Sequence, residues 1–348
     1  PEVKNRLGSL SNSNAMKNFV KITKSGVGNS IQDSGRFGYR QYGVPISGMA
    51  DSYFASCANA LVGNELNQPV IEIPLAGPNL FFECSTRSVA LVGKIRIKQI
   101  SKNGNVTSPQ PWKAFRVEAG DIVELSGTNG TAYLSIQGGL ELQAIMNSCS
   151  TYERAKLGGL NGTWLNINDT IPLRPITTPQ GLCADLPFAH ETGPLRVIPG
   201  PQEFLFKQDS LYKFVTNPYT VSKQWDRMGI RLDGEPLEHL SPSSADIASD
   251  GIVPGTIQVP ASGAPIILGI DSQTIGGYPK IATIISADIS RLAHLRTGDQ
   301  IEFKNFKIDD AIVILKQKKL KLHRWIEGLK IQNWDNYSSH ENNTYGST

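Results

Sequence analysis

Glycine and proline interrupt this 348-residue chain throughout: 33 glycines and 21 prolines are spread along its length rather than gathered into one linker. Each is a poor guest inside a regular element, glycine for its backbone entropy and proline for its missing N–H. The short apolar runs left between such breakers have the length of strands joined by tight turns. Residues 19–23 alternate apolar and polar side chains and end at Ser25-Gly26, and residues 89–97, 122–125 and 133–136 are further β-type runs. The expected class is mainly β. Its length suits two domains, or one large β domain at a stretch. A hydrophobic fraction of 39% with 19% charged residues provides for a soluble protein with a real core.

Two stretches read as helices. Asp51 can cap a segment through Leu61 that places Phe54, Cys57, Ala58 and Leu61 on one face and stops at Gly63-Asn64. Near the end, Asp309 can cap a helix with Ile312, Leu315, Leu322, Trp325, Ile326 and Leu329 at helical spacing. Lys316, Lys318, Lys319, Lys321 and Arg324 then read as its basic, solvated face rather than an anion-binding one.

Residues 117–125 are echoed by residues 295–303: in each, an apolar residue precedes a Gly-Asp turn and an alternating strand follows. A shared turn-plus-strand late in each half fits two similar β barrels in tandem. Residues 172–194 are proline-rich and lack periodicity. The expected plan is a first domain over 16–180, a linker over 181–194, a second domain over 195–306 and a helical, polar-ended tail over 307–348. Residues 1–15 are polar and patternless, as a tag scar or disordered extension before Met16 would be.

Composition excludes several roles. A net charge of +3 is too mild to argue for nucleic acid. No run of about eighteen apolar residues is present to span a membrane, and no signal peptide opens the chain, so the expectation is cytoplasmic. Cys57, Cys84, Cys149 and Cys183 form no CxxC pair and read as buried small hydrophobes. His190, His239, His294, His323 and His340 lie far apart, so no sequence-local metal site is expected. No P-loop, dinucleotide fingerprint or GxSxG elbow occurs.

Five clusters mix Gly, Arg, Asp, Gln and Lys densely. The first holds Gln32, Asp33, Arg36, Tyr39, Ser47, Gly48 and Asp51; the second Gln137 to Gly139 with Ser150 to Arg154 and Gly158 to Leu160. The third is Pro199 to Glu203, including Gln202; the fourth Ser222, Asp226, Arg227, Met228, Gly229 and Arg231. The fifth joins Asp250, Gly251 and Gln258 to Gln273, Gly276, Gly277, Tyr278 and Lys280. Glycines let backbone N–H groups approach a ligand, arginines offer forks that match carboxylate or phosphate, and Asp or Gln can orient a nucleophile or read an amide. Such loops describe a site for a small anionic or amide-bearing ligand; the plainer alternative is turn residues with ordinary Arg–Asp pairs.

The ordered series Gln32-Asp33-x-Gly35-Arg36-x-Gly38-Tyr39, Gly43-Val44-Pro45-x-Ser47-Gly48, Ser150-Thr151-Tyr152, Pro199-Gly200-Pro201-Gln202, Asp226-Arg227-Met228-Gly229, Gln258-Val259-Pro260 and Gly276-Gly277-Tyr278-Pro279-Lys280 carries a resemblance. It resembles the family that comprises the C subunit of bacterial 5-oxoprolinase, also called allophanate hydrolase subunit 2 or biotin-dependent carboxyltransferase, and named too as antagonist of a sporulation-kinase inhibitor. The resemblance implies two tandem cyclophilin-like β-barrel domains and a smaller partner, the B subunit. It implies one of three roles. The first is ATP-dependent opening of the lactam of 5-oxoproline together with the A and B subunits. The others are carboxyl transfer from carboxybiotin and non-catalytic regulation of a kinase inhibitor that resembles the B subunit. Met16-Lys17 is followed by Asn18, so no biotin-attachment segment is present here; biotin would sit on another chain, and oxoprolinase is favoured. Trp225, Ile230 and Asp250 depart from the commoner family pattern.

On that reading the cofactor is ATP with magnesium as counter-ion, and the lactam carbonyl, a resonance-stabilised amide, is activated by phosphorylation. Asp33, Arg36, Arg227 and Lys280 are the candidate catalytic residues. Gln32, Tyr39, Ser47, Arg154, Gln202, Asp226, Gln258, Gln273, Gly276, Gly277 and Tyr278 are candidates for holding substrate or phosphate. Arg36, Arg154, Arg227 and Lys280 are expected to share one interdomain cleft, so that Arg227→Ala or Lys280→Ala would leave folding largely intact.

Overall fold

The computed structural model describes residues 18–331. Alternation sets the first strand: along Phe19–Lys24, Val20 and Ile22 are fully buried while their neighbours stay partly or fully exposed. Register then stacks apolar side chains across a six-stranded antiparallel sheet, with Val20 opposite Phe82, and Leu80 opposite both Ile22 and Val123. A second, five-stranded sheet faces it. There Ile71 lies opposite Ile31 and Leu134, and Leu134 opposite Leu91. These side chains share one core.

Strands Arg87–Val92 and Ala132–Ile136 are buried at every position. The cause is α1, Ser52–Leu61, which lays Ala55, Cys57, Ala58 and Leu61 on the far side of their sheet against Val70, Ala90, Val92 and Tyr133. Asp51 caps α1, its Oδ1 accepting from the Tyr53 and Phe54 N–H groups at 2.9 and 3.2 Å. The helix closes as expected, the Gly63 and Asn64 N–H groups donating to Ala60 and Asn59 carbonyls at 3.1 and 3.0 Å.

The second half forms one eight-stranded sheet around Val197, Phe214, Tyr219, Leu232, Ile257, Ile267 and Phe303. Its two edge strands, Gln300–Ile301 and Phe303–Asn305, are consecutive in the chain, so the sheet nearly closes on itself. The helix α2, Gln208–Thr216, supplies Phe214 to this core.

The internal echo survives as the same hydrogen-bonded device in both halves. Gly120 and Gly298 have φ of 91° and 92°, a left-handed conformation that glycine adopts without penalty. Asp121 Oδ2 accepts from the Glu118 N–H at 3.1 Å, and Asp299 Oδ2 from the Arg296 N–H at 2.7 Å. Each turn also docks on a neighbouring strand: Gly120 N–H and Asp121 carbonyl pair with Phe82, Gly298 N–H and Asp299 carbonyl with Val221.

The segment between the halves is tied down at several points. Leu182–Cys183 pairs antiparallel with Lys330–Ile331 at the end of the tail, and Phe188 is buried against the Tyr53 ring, 5.8 Å away. The short helix α3, Ile289–Leu292, precedes the second turn, and α4, Ile308–Glu327, forms the tail. Asp309 does not cap α4: Lys307 stands at the cap, and Asp309 and Asp310 lie in the first turn, where carboxylates complement the helix dipole. Leu322, Trp325 and Leu329 pack on the α1 side and Ile314 and Leu315 on Ile285, while Ile312 is exposed. No helix among the described residues is long and apolar enough to cross a membrane.

The basic face of α4 is not wholly solvated. Lys318 donates to the Ala287 carbonyl at 2.5 Å and lies 4.3 Å from the Tyr53 ring centroid. Burial pushes its pKa down to about 8, against partial support from Asp51, Asp288 and Glu191 and with Arg291 adding to the depression. Between about pH 8 and the unfolded value of 10.5 the unfolded chain therefore holds the extra proton, and stability rises with pH; the penalty is complete below pH 8. Lys318→Met should add on the order of 1 kcal/mol at pH 7 and remove that part of the rise. Denaturant titrations of both proteins from neutral to alkaline pH check this, and a pH-independent difference between them would contradict it.

Candidate functional site

The loop between strand Ser30–Gln32 and α1 carries the first candidates. Gln32 is fully buried, its amide donating to Ser30 Oγ at 2.9 Å and the Thr151 carbonyl at 3.1 Å. Asp33 gathers the second cluster onto the first. Its Oδ1 accepts from Gly35 N, Ser148 Oγ and Ser150 Oγ at 2.8, 2.6 and 2.5 Å, and Oδ2 accepts from Cys149 N at 2.6 Å. A carboxylate so fully engaged positions the 148–151 segment.

Arg36 sits beside it with no exposed surface. Its NH2 group donates to the Ser150 carbonyl, but Nε and NH1 have no partner among the described residues. Burial lowers its pKa, with Asp33 and Asp271 opposing the shift. Gly158 is required here: a Cβ on it would fall 2.1 Å from the Ser150 carbonyl oxygen, and its φ is +66°. Ser47 Oγ, Thr151 Oγ1 and Ser272 Oγ are also buried without partners among the described residues. Ser47 N–H reaches across the seam to the Ile270 carbonyl at 3.2 Å, which brings the 270–272 segment of the second half onto this loop.

Arg227 joins the halves. Its guanidinium binds Asp271 through two bonds, Nε to Oδ2 at 2.7 Å and NH2 to Oδ1 at 3.1 Å. NH1 pairs with Glu72 and NH2 with the Gly48 carbonyl at 2.7 Å. Burial works against the charge, but Asp271 and Glu72 outweigh it and hold the pKa above the usual arginine range. Glu72 Oε2 accepts from Ala50 N at 2.8 Å and Tyr133 OH at 3.0 Å, and Tyr133 OH accepts from Asp51 N at 2.7 Å. Arg154 faces Asp226 at 3.8 Å, both exposed, and Asp226 Oδ1 shapes its own turn by accepting from Met228 and Gly229 N–H groups. A cavity of about 70 Å³ is bounded by Glu72, Trp225, Asp226 and Arg227.

Lys280 belongs to another group of contacts. It is buried on strand Lys280–Ile284, and its Nζ donates to Asp250 and to the Gly251 carbonyl at 3.1 Å. The hydrogen bond from Lys280 lowers the Asp250 pKa. Gln202 Oε1 accepts from Lys280 N at 3.3 Å, and Gln258 donates to the Tyr278 carbonyl at 3.0 Å across the adjoining strand. Gly276 pairs with Asp250, and the Gly277 carbonyl accepts from Ile247 N. Tyr278 and Gln273 are exposed, and Tyr39 OH accepts from Asn147 at 3.3 Å. Arg36, Arg154 and Arg227 thus gather along the seam, whereas every polar partner of the Lys280 side chain comes from the second half. In place of one solvated cleft there is a buried seam and a lysine cluster, which the first half reaches through the Arg40 NH2 bond to the Ile252 carbonyl.

Sequence reasoning missed Glu72, Asp271 and Tyr133. A carboxylate inside the apolar run Val70–Ile73 was the one available signal. It also missed the meeting of His190 and His294 on Asp51, 139 and 243 residues apart in the chain.

Burial changes what alanine does at the two cations. Arg227→Ala leaves Glu72 and Asp271 buried without their counter-charge, a loss of about 3–5 kcal/mol. Lys280→Ala leaves Asp250, whose side chain is 55% exposed and resolvates, so the loss should be nearer about 1 kcal/mol. Chemical denaturation of both variants checks the ordering, and equal losses would contradict it.

The arrangement matches known proteins at several levels. The carboxyltransferase domain, subdomain A and B, is matched by residues 42–305. The chain is 34% identical over 299 residues to the C subunit of 5-oxoprolinase from Haemophilus influenzae, covering 84% of this chain and 93% of that protein. The Escherichia coli protein of the same name gives 34% over 301 residues with the same coverage. Urea amidolyase of Saccharomyces cerevisiae is 28% identical over 92% of this chain but only 18% of its own length. In three dimensions the chain resembles part of Kluyveromyces lactis urea amidolyase, with a TM-score of 0.82 at 26% identity over 91% of this chain and 20% of that one. These matches place the chain in the family of the carboxyltransferase domain, subdomains A and B.

Proposed function

We propose that this chain is the C subunit of an ATP-dependent 5-oxoprolinase complex that opens the lactam of 5-oxoproline to glutamate, acting with partners of the A-type and B-type. The observation that carries this reading is the match to two 5-oxoprolinase C subunits over 93% of their length, whereas the urea amidolyase match occupies under a fifth of that protein. The reaction places anionic oxygen in the site, as phosphate and as the substrate carboxylate, and the seam offers a donor set of that kind. Arg36 Nε and NH1 with the hydroxyls of Ser47, Thr151 and Ser272 are buried polar atoms awaiting acceptors.

ATP, with magnesium as counter-ion, would supply the phosphoryl group that makes the lactam carbonyl electrophilic. Arg36, Ser47 and Ser272 would hold the anionic oxygens in place, excluded from water. Asp33 fixes the loop that presents Arg36, and Arg227 fixes the second half against it. Lys280, steadied by Asp250, would stabilise charge developing on an oxygen. The carboxyltransferase reading is favoured by the TM-score of 0.82 to urea amidolyase, and it would take biotin from another chain.

Mixing the chain with its A-type and B-type partners should give ATP hydrolysis that depends on 5-oxoproline. Biotin-dependent carboxylation without an oxoproline response would establish the second reading instead, and no turnover in either assay would favour a regulatory partner. Within the active complex, Ser272→Ala discriminates further. Removing an unpartnered buried hydroxyl leaves stability unchanged or raised, but removing a bond to a bound anion costs about 1.5–3 kcal/mol, roughly 10–150-fold in KM for 5-oxoproline or ATP. An unchanged KM for both would remove Ser272 from the site.

A further inference from the structure

A cavity of about 720 Å³ opens beside Phe54 of α1, and Arg36, Arg227 and Lys280 do not line it. Phe54, Trp112 and Phe188 form its aromatic wall, and His190 and His294 are set in that wall. Behind them lies the Asp51 carboxylate, with no exposed surface. His190 Nε2 is 2.5 Å from Asp51 Oδ2, and His294 Nε2 is 2.7 Å from the same oxygen. The three potential ligand atoms all lie within 4.8 Å of one another.

Each member is held by contacts of its own. Asp51 Oδ1 is engaged by the first N–H groups of α1, which fixes the carboxylate and turns Oδ2 toward the rings. The Phe54 ring stacks on His190 at 4.8 Å between centroids and 15° between planes, and packs on His294 at 4.7 Å. His190 Nδ1 has no partner among the described residues, so that ring can carry its proton there and turn the Nε2 lone pair toward a ligand, giving up its bond to Asp51 Oδ2. The three residues come from the first half, the connecting segment and the second half.

We propose that Asp51 Oδ2 and the Nε2 atoms of His190 and His294 form a binding site for a zinc-class divalent ion, set behind the histidine wall of the cavity. Two imidazoles and one carboxylate suit zinc and its first-row neighbours, which take nitrogen and oxygen at tetrahedral or five-coordinate sites. Magnesium and calcium require mostly oxygen ligands and are excluded by the same donor set. Three protein ligands leave at least one position of a four-coordinate ion to be completed by water. The site does not depend on the oxoprolinase reading.

The test uses the full chain, stripped with chelator and titrated by calorimetry with zinc and, separately, magnesium. One equivalent of zinc should bind at least about 100-fold more tightly than to His190→Ala or His294→Gln, with a raised Tm, and magnesium should do neither. Cobalt should give the visible absorption of a four- or five-coordinate ion in the wild type and lose it in both variants. His323 lies 3.1 Å from Glu327 on exposed α4, so His323→Ala is the control for adventitious chelation and should bind as the wild type does. Zinc bound equally by all of these proteins, or by none, overturns the proposal. Should a variant fail to fold, the wild-type cobalt spectrum alone decides: only the fully hydrated ion's spectrum would overturn it.

Discussion

A guanidinium withdrawn from water is stable only where carboxylates and carbonyls replace its hydration, and Arg227 meets that condition only when both halves of the chain are in place. Asp271 comes from the second half, and Glu72 and the Gly48 carbonyl from the first. Separating the halves would take Glu72 and the Gly48 carbonyl from Arg227 and leave Glu72 without its counter-charge. The relative placement of the two sheet systems is therefore coupled to one side chain. The coupling continues inward, from Glu72 to Tyr133 OH and from there to the N–H of Asp51 at the start of α1.

That chain of contacts connects two regions with different chemistry. At the seam, buried polar atoms stand without partners: among the described residues Arg36 keeps two nitrogens unpartnered, and Gln32 Oε1 and several hydroxyls stand idle, although Asp33 beside them is fully engaged. At the start of α1 the reverse holds, and one carboxylate oxygen of Asp51 draws two imidazoles onto itself. Asp51 serves both regions, since one of its oxygens caps α1 and the other faces the histidines.

The similarity to urea amidolyase over most of this chain, set against 5-oxoprolinase relatives of nearly the same length, describes one scaffold in proteins of differing names. A scaffold shared in this way places function in the loops and not in the sheets. Trp225 and Asp250, two of the departures from the commoner pattern, lie beside the seam cavity and on Lys280 respectively, where such differences would act on a ligand.

The sequence by itself determined the mainly β class, α1 with its Asp51 cap, the tail helix and the repeated Gly-Asp turn. All of these rest on local rules: period-two alternation, helix capping, and the positive φ that Gly120 and Gly298 supply. It also marked the segments from which Arg36, Arg227 and Lys280 come, because glycine and charge are concentrated there. Only the tertiary structure decided which charges meet. Arg227 takes Glu72 from a strand 155 residues away, Lys280 takes Asp250, and His190 and His294 converge on Asp51. Pairings between distant residues are set by strand register and by the docking of one half on the other, and neither leaves a period or a spacing in the sequence.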